Sequence, residues 1–438
     1  MVAGCDREPG IQTDECFLPV PDVPSEDCTP EDEKRFVDGV MRRHYLFNDQ
    51  LPELDLASFE TADDVLRALV EDVVPRDRFS FVASRSSEQQ FYEEGKVLGL
   101  GFNTRFVGDD LLLSQVYGSQ GEEPPSPASE AGLERGDRIS AIGGRTVEEL
   151  IEAGELGSAF GPNEPGSEVD LRVRTTEGST RTVTVVRDFF VFDPVPVVDV
   201  FERDGRSIGY VMLRSFVEPA SQPLVRAFER FRDEEVDDLV LDLRYNSGGL
   251  LSVAQALADL VAGAIADDEI LWRRVFNAQN ADCEEVRRFS ARAESLGDLE
   301  RVAALTLGGT ASASEQVISG LRPWVETLTV GGVTFGKPVG QFGFSFCEDR
   351  VLRPVTFQTV NADGDGDYFE GVSPDCGAAE LVDGELGDPA ENMLAAALVR
   401  LSTGACDASK AGRAGGKARV TDRTLRYPGR PPGAELIF

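Results

Sequence analysis

The sequence predicts a multidomain α+β protein, and three observations carry that prediction. The chain has 438 residues, enough for two or three domains that each bury a core. Its apolar pattern changes twice along its length, from a helical period to short alternating runs and then to strands separated by helices. The last pattern implies a mostly parallel sheet with crossover helices.

Residues 1–28 read as a tether of Pro, Asp, Glu and Ser with no apolar period. Residues 29–95 read as a helical N-terminal domain. Thr29-Pro30-Glu31-Asp32 is an N-cap followed by proline in the first turn. Phe36, Val40 and Met41 then recur at helical spacing. A second helix is expected near Ala62 to Val73, with Val65, Leu66 and Leu69 on one face. His44, the single histidine of the chain, falls in this domain and reads as a packing or surface residue.

Residues 96–187 have a different texture. Val97 to Phe102 reads as a loop leading into a strand. Leu111 to Val116 and Asp137 to Ile142 read as strands, Pro127 to Leu133 as a short helix, and Val169 to Val173 with Thr182 to Val186 as a closing hairpin. The stretch Gly118 to Pro127 is rich in Pro, Gly and Glu and is expected to be a mobile loop. Residues 188–406 alternate strand and helix. Strands are expected at Ile208 to Leu213, Asp238 to Leu243, Val302 to Leu307 and Thr327 to Val333. Helices are expected over Ser221 to Glu234, Leu251 to Ala262 and Ser314 to Leu321. Residues 407–438 are rich in Gly, Arg and Pro and read as a flexible tail.

A formal charge of −35 argues against nucleic acid as a partner, because phosphate binding needs clustered Lys and Arg. So much acid keeps a protein soluble, and an acidic, lysine-poor surface also suits a salt-tolerant source. No stretch approaches the roughly 20 apolar residues of a membrane-spanning helix. Of the seven cysteines, Cys5 sits in Val2-Ala3-Gly4-Cys5. That tetrad resembles the lipobox at which bacterial lipoproteins are cleaved and acylated, which makes Cys5 the expected lipidation site. Asp6 after it resembles an inner-membrane retention signal. The other six are Cys16, Cys28, Cys283, Cys347, Cys376 and Cys406, an even number that suits an oxidising compartment. Cys16 with Cys28 is the simplest pairing to expect. Both signals point to the periplasmic side of a cell envelope, with contact to the membrane only through the lipid.

Lys337 carries the chemistry. Between Lys96 and Lys410 every basic side chain except Lys337 is arginine. Arginine stays protonated in proteins, whereas a desolvated lysine can release its proton and act as a base. With His44 far away in sequence, a serine hydrolase built on this chain would use lysine. Three segments fit that reading. Asp242-Leu243-Arg244-Tyr245-Asn246-Ser247-Gly248-Gly249 joins a buried strand to a helix, and its glycines can turn backbone N–H groups outward. Gly309-Thr310-Ala311-Ser312-Ala313-Ser314-Glu315 crowds small residues at a strand end and a helix start, where a hydroxyl meets helix N-terminal N–H groups. Thr334-Phe335-Gly336-Lys337-Pro338-Val339-Gly340-Gln341 is a turn that carries the lysine. Acyl transfer needs an activated hydroxyl, a base of lowered pKa and two oxyanion donors. Ala313 with Gly248 or Gly249 would supply the donors, and Gln341 can hold the amine.

These segments, with Ile208-Gly209-Tyr210 and Ser215-Phe216, resemble the S41 carboxyl-terminal processing proteases in order and spacing over roughly residues 30 to 405. The resemblance implies a crotonase-like αβ protease core over 188–406 with an inserted PDZ domain over 96–187. It makes Ser312 the nucleophile, Lys337 the base and Gln341 its support, with Ser314 as the competing hydroxyl. This chain has Pro338 where the family commonly has glycine, a departure that bears on the pose of Gln341. Gly99-Leu100-Gly101-Phe102 matches the carboxylate-binding loop of PDZ domains, and Ala131-Gly132-Leu133 and Gly136-Asp137-Arg138-Ile139 follow as in that pattern.

The expected function is therefore a serine endopeptidase that cleaves proteins near a free C-terminus, without metal or organic cofactor. The alternative on the same fold is a non-catalytic carrier of ligands or peptides resembling the interphotoreceptor retinoid-binding protein. Asn361, Asp363, Asp365, Asp367 and Glu370 resemble an acidic calcium loop but lack its fixed glycine and glutamate spacing, so they read as a solvated turn. Leu436-Ile437-Phe438 is an apolar terminus that would fit a PDZ groove as an internal ligand.

Overall fold

A computed structural model describes residues 28–107, 110–119 and 123–409. Cys5, Asp6, Cys16 and Leu436-Ile437-Phe438 lie outside the described residues, as does the tail from residue 410.

Helix Pro30–His44 opens on a capping box, in which Asp32 N donates to Thr29 Oγ1 at 3.3 Å and Thr29 N to the Asp32 carboxylate at 3.1 Å. Thr61 and Asp64 repeat the device at helix Ala62–Val70, which stops short of Val73 because Pro75 follows. The apolar faces of the two helices do not form a core of their own. Phe36, Val37, Met41, Val65 and Leu69 pack with Val339, Phe344, Phe346 and Leu352, far along the chain. His44 is buried here, stacked on Phe344 at 4.8 Å. Strand Phe81–Ser84 pairs antiparallel with Arg350–Arg353 and completes the junction. Helix Arg85–Glu94 has no expected counterpart, because its two apolar residues, Phe91 and Tyr92, are adjacent and set no helical period; both pack, partly buried, against the cluster around Phe190 and Phe192.

Strands Lys96–Gly99 and Asp188–Val191 pair antiparallel where the chain enters and leaves the β-rich module. Between them runs a sheet in the order Phe102–Val107, Asp110–Val116, Arg138–Ile142, Glu168–Arg174, Thr180–Val186. Helices Pro127–Glu130 and Val147–Ala153 flank it over a core that includes Leu100, Phe102, Leu113, Ile139 and Leu171.

The αβ unit is built on a second sheet, ordered Val198–Arg203, Arg206–Met212, Asp238–Asp242, Arg301–Thr306, Glu326–Gly331 and Cys376–Gly377. All neighbours are parallel except the first pair. Helices Ser221–Asp233 and Leu251–Ala262 cover one face together with Ala313–Leu321, and helix Asn392–Thr403 covers the other. An antiparallel sheet of Glu285–Arg288, Ile270–Phe276, Val355–Val360 and Val339–Gln341 was not legible in the sequence, because its central pair, Ile270–Phe276 with Val355–Val360, joins segments far apart in the chain.

One expectation is overturned. Cys28 does not pair with Cys16: its disulfide partner is Cys347, 319 residues away, which ties the start of the first helix to the strands beyond Gln341. Proximity in sequence favoured Cys16, but packing of the N-terminal helices on Phe344 and Phe346 brings Cys347 to the helix start. Cys376 pairs with Cys406 and fastens the end of the last helix to the edge of the parallel sheet.

Candidate active site

Four loops meet at the carboxyl ends of the parallel strands, where open αβ sheets carry their sites. They follow Met212, Asp242, Thr306 and Gly331. Side-chain to backbone bonds weld them together. Asn246 Nδ2 donates to Leu213 O at 2.9 Å, Thr310 Oγ1 to Leu243 O at 2.8 Å and Ser314 Oγ to Asn246 O at 3.0 Å. Ser314, the competing hydroxyl, is fully buried and committed to that bond. Gly248 and Gly249 lie at φ of +105° and +139°, and a Cβ on Gly248 would stand 2.8 Å from Ser312 Cβ. Glycine is required here by both conformation and space.

Ser312 caps helix Ala313–Leu321 in a strained backbone, φ +55° and ψ −117°. L-residues rarely take that conformation, and they keep it only where the surroundings enforce it. The enforcing group is Glu315, fully buried. One of its carboxylate oxygens accepts Ser312 N at 2.9 Å and Lys337 N at 2.8 Å. The other accepts Thr334 Oγ1 at 2.5 Å and Gly336 N at 2.7 Å. A single carboxylate thus holds the serine loop and the lysine turn in register. Burial pushes this carboxyl up, and the four donors pull it back. Glu315 stands three residues after Ser312, the spacing of a capping box, and that is the local signal of its role.

Lys337 is only 9% exposed. Burial pushes its amine down to about 8, against the pull of the Asp77 and Glu315 carboxylates and with help from the Arg353 guanidinium. Nζ donates to Gln341 Oε1 at 2.6 Å and lies 5.8 Å from the centre of the Phe79 ring. Among the described residues no hydrogen bond joins Nζ to Ser312 Oγ. Gln341 is itself fixed, since its Nε2 donates to Phe79 O at 2.8 Å and Arg353 O at 2.7 Å. Pro338 does not spoil this pose. Its carbonyl accepts Thr359 N, and a register shift between Gly340 and Gln341 turns the glutamine toward the lysine. The N-terminal domain therefore forms part of the lysine pocket through Asp77 and Phe79, which nothing local in the sequence announced.

Two N–H groups near Ser312 remain open among the described residues, those of Ala313 and Gly249. The Gly248 N–H is taken by Asn246 Oδ1 at 2.8 Å, in an Asx turn. In the β-rich module Gly99, Leu100, Gly101 and Phe102 form a buried turn with Gly101 at φ +90°. Gly101 O accepts Tyr117 N at 2.9 Å, while the N–H groups of Leu100 and Gly101 have no partner among the described residues. Asn361 Oδ1 accepts Asp363 N and Asp365 N within the acidic run, whose aspartates are exposed.

The loops thus bring a strained serine, a buried lysine and its glutamine partner to one end of the parallel sheet, beside a separate β-rich module. Comparison with known proteins identifies the parts. The family model described as "Peptidase family S41" matches residues 207–378, "Peptidase S41 N-terminal domain" matches 32–81 and "PDZ domain" matches 121–175. A carboxyl-terminal-processing protease of Picosynechococcus is 34% identical over 215 residues, 49% of each chain. One of Synechocystis is 28% identical over 291 residues, 65% of each. A crystal structure of a putative S41 protease from Bacteroides fragilis superposes with a TM-score of 0.67 at 25% identity, covering 84% of this chain and 96% of that one. The chain belongs to peptidase family S41 and carries a PDZ domain. It spans about half to two thirds of the length of these curated relatives.

Proposed function

We propose that the protein is a serine endopeptidase that cleaves protein substrates near their C-termini. The observation that carries this reading is the buried Lys337 amine, pushed down to about 8 and tied through the Glu315 carboxylate to the loop of a strained serine. An amine of that pKa is partly unprotonated at neutral pH and accepts a proton readily. As substrate fills the cleft, Nζ turns from Gln341 to Ser312 Oγ and takes its proton. The oxygen attacks the scissile carbonyl carbon, and the oxyanion receives the N–H groups of Ala313 and Gly249. The lysine ammonium then protonates the departing amine, and water releases the acyl group by the reverse path.

The open N–H groups of Leu100 and Gly101 support capture of a substrate C-terminal carboxylate by the PDZ domain. Two disulfides support an extracytosolic location, and lipidation at Cys5 would hold the protein on the periplasmic side of the envelope. The test is cleavage of one peptide with a free and with an amidated C-terminus. Ser312→Ala, Lys337→Ala and Lys337→Arg are all expected to be inactive while folded. Full activity of Lys337→Arg would remove the base assignment. A serine-reactive probe that binds without labelling Ser312 would make the protein a carrier instead.

A further inference from the structure

Between the PDZ turn and the catalytic loops lies a buried guanidinium that the dyad does not use. Arg214 directly precedes Ser215, whose Oγ donates to Gly248 O at 3.3 Å, and Gly248 abuts Ser312. On the other side Arg214 lies 5.0 Å from the ring centre of Tyr117. The Tyr117 backbone binds Gly101 O and accepts Ser126 Oγ at 2.6 Å. Arg214 thus sits between the peptide-capturing turn and the oxyanion loop.

Its bonding is incomplete. Nη1 donates to Glu123 Oε1 at 2.7 Å and to Asp193 O at 3.2 Å. Nε and Nη2, the edge that grips a carboxylate with two parallel bonds, are buried with no partner among the described residues. Leaving such donors unmatched is costly, and more so on a charged group. Glu123 is no better served. Its side chain is 3% exposed, and its other oxygen takes only Gly118 N at 2.7 Å. The resting pair uses one guanidinium nitrogen where a full fork would use two.

The geometry points to the Nε–Nη2 edge of Arg214 as a carboxylate-binding subsite for the substrate, while Glu123 holds Nη1 of the same guanidinium in the resting chain. A substrate carboxylate that takes the Nε–Nη2 edge gains two charge-assisted bonds and competes with Glu123 for the one cation. The incoming group is either the substrate's own C-terminus or the side chain of an Asp or Glu on the leaving side of the scissile bond. This inference rests on the reading of the chain as a protein that takes peptide substrates.

The test is fluorescence anisotropy with the full chain carrying Ser312→Ala, so that binding is read without cleavage. Four labelled apolar peptides separate the sources: free or amidated at the C-terminus, and amidated with an added Glu or Gln. Glu123→Gln removes the competitor and is expected to tighten carboxylate peptides about tenfold, leaving their neutral twins alone. The pair Arg214→Gln with Glu123→Gln removes both buried charges together. It should cut the preference for a carboxylate about tenfold. Loss of the free-over-amidated preference assigns the subsite to the terminus, and loss of the Glu-over-Gln preference assigns it to a side chain. Unchanged preferences in the double variant, or equal weakening of all four peptides by Glu123→Gln, would overturn the proposal. A wild-type chain that binds but never cleaves would sink the protease reading and leave the subsite standing.

Discussion

Replacing Lys337 by methionine should stabilise the protein, and the gain should depend on pH in one direction. The folded chain pushes the amine from 10.5 to about 8, mainly by burial. At about 1.4 kcal/mol per tenfold change in proton affinity, that costs the folded state about 3 kcal/mol when the amine is protonated. Between those two values the unfolded chain holds the proton and the folded chain does not, so stability rises with pH through that window. Below it both states are protonated and the penalty is complete. Lys337→Met should therefore gain on wild type by about 3 kcal/mol more at about pH 7 than at about pH 11. Lost packing and the lost bond to Gln341 are common to both conditions and cancel in the difference. The two tryptophans of the chain, Trp272 and Trp324, both lie in the αβ unit, so guanidinium unfolding followed by their fluorescence reports on the relevant core. An equal effect of the substitution at both pH values would show that the amine is not strained by burial, and the base assignment would lose its physical ground.

Four further outcomes follow from the same region. The acid limb of kcat should fall near the value of about 8 that burial imposes on Lys337. Asp77→Asn keeps an oxygen for Phe79 N and Ser80 N but removes a charge that holds the amine up against Arg353, itself paired with Glu88. It should move the limb down by about one pH unit, and a limb that stays put would refute the coupling. Glu315→Gln turns an amide donor toward N–H groups that need an acceptor. It should cost about 2–3 kcal/mol in unfolding and lower kcat at least about a hundredfold, measured by denaturation and peptide turnover. Gly340→Ala puts a Cβ 2.0 Å from the Phe357 ring, so unfolding should show a loss of about 1–3 kcal/mol.

Much of the fold was local enough to read. Helix Leu251–Ala262 lies where its apolar period set it, and the four expected strands of the parallel sheet differ from expectation only at their ends, while the edge strands Val198–Arg203 and Cys376–Gly377 went unread. Helix Arg85–Glu94 escaped because its two apolar residues, Phe91 and Tyr92, are adjacent and give no helical period, and the antiparallel sheet escaped because its central pair joins strands far apart in the chain. Disulfide pairing by proximity failed for a related reason. The N-terminal helices bury their apolar faces on Phe344 and Phe346 rather than on each other alone, and Cys28 travels with them to Cys347.

The sequence by itself determined which side chains are the candidates for the chemistry, because chemical rarity survives without coordinates. One lysine among arginines, a run of small residues around Ser312 and a glutamine in the following turn mark the candidates for a base, a hydroxyl and a support. Only the tertiary structure decided what makes them usable. The carboxylate of Glu315 reaches across to Lys337, the backbone of Phe79 anchors Gln341 from 262 residues away, and Arg214 meets Glu123 from another domain. Desolvation and hydrogen-bond registry arise from groups that approach through space. No period or spacing along a chain encodes which distant segment will shut water out.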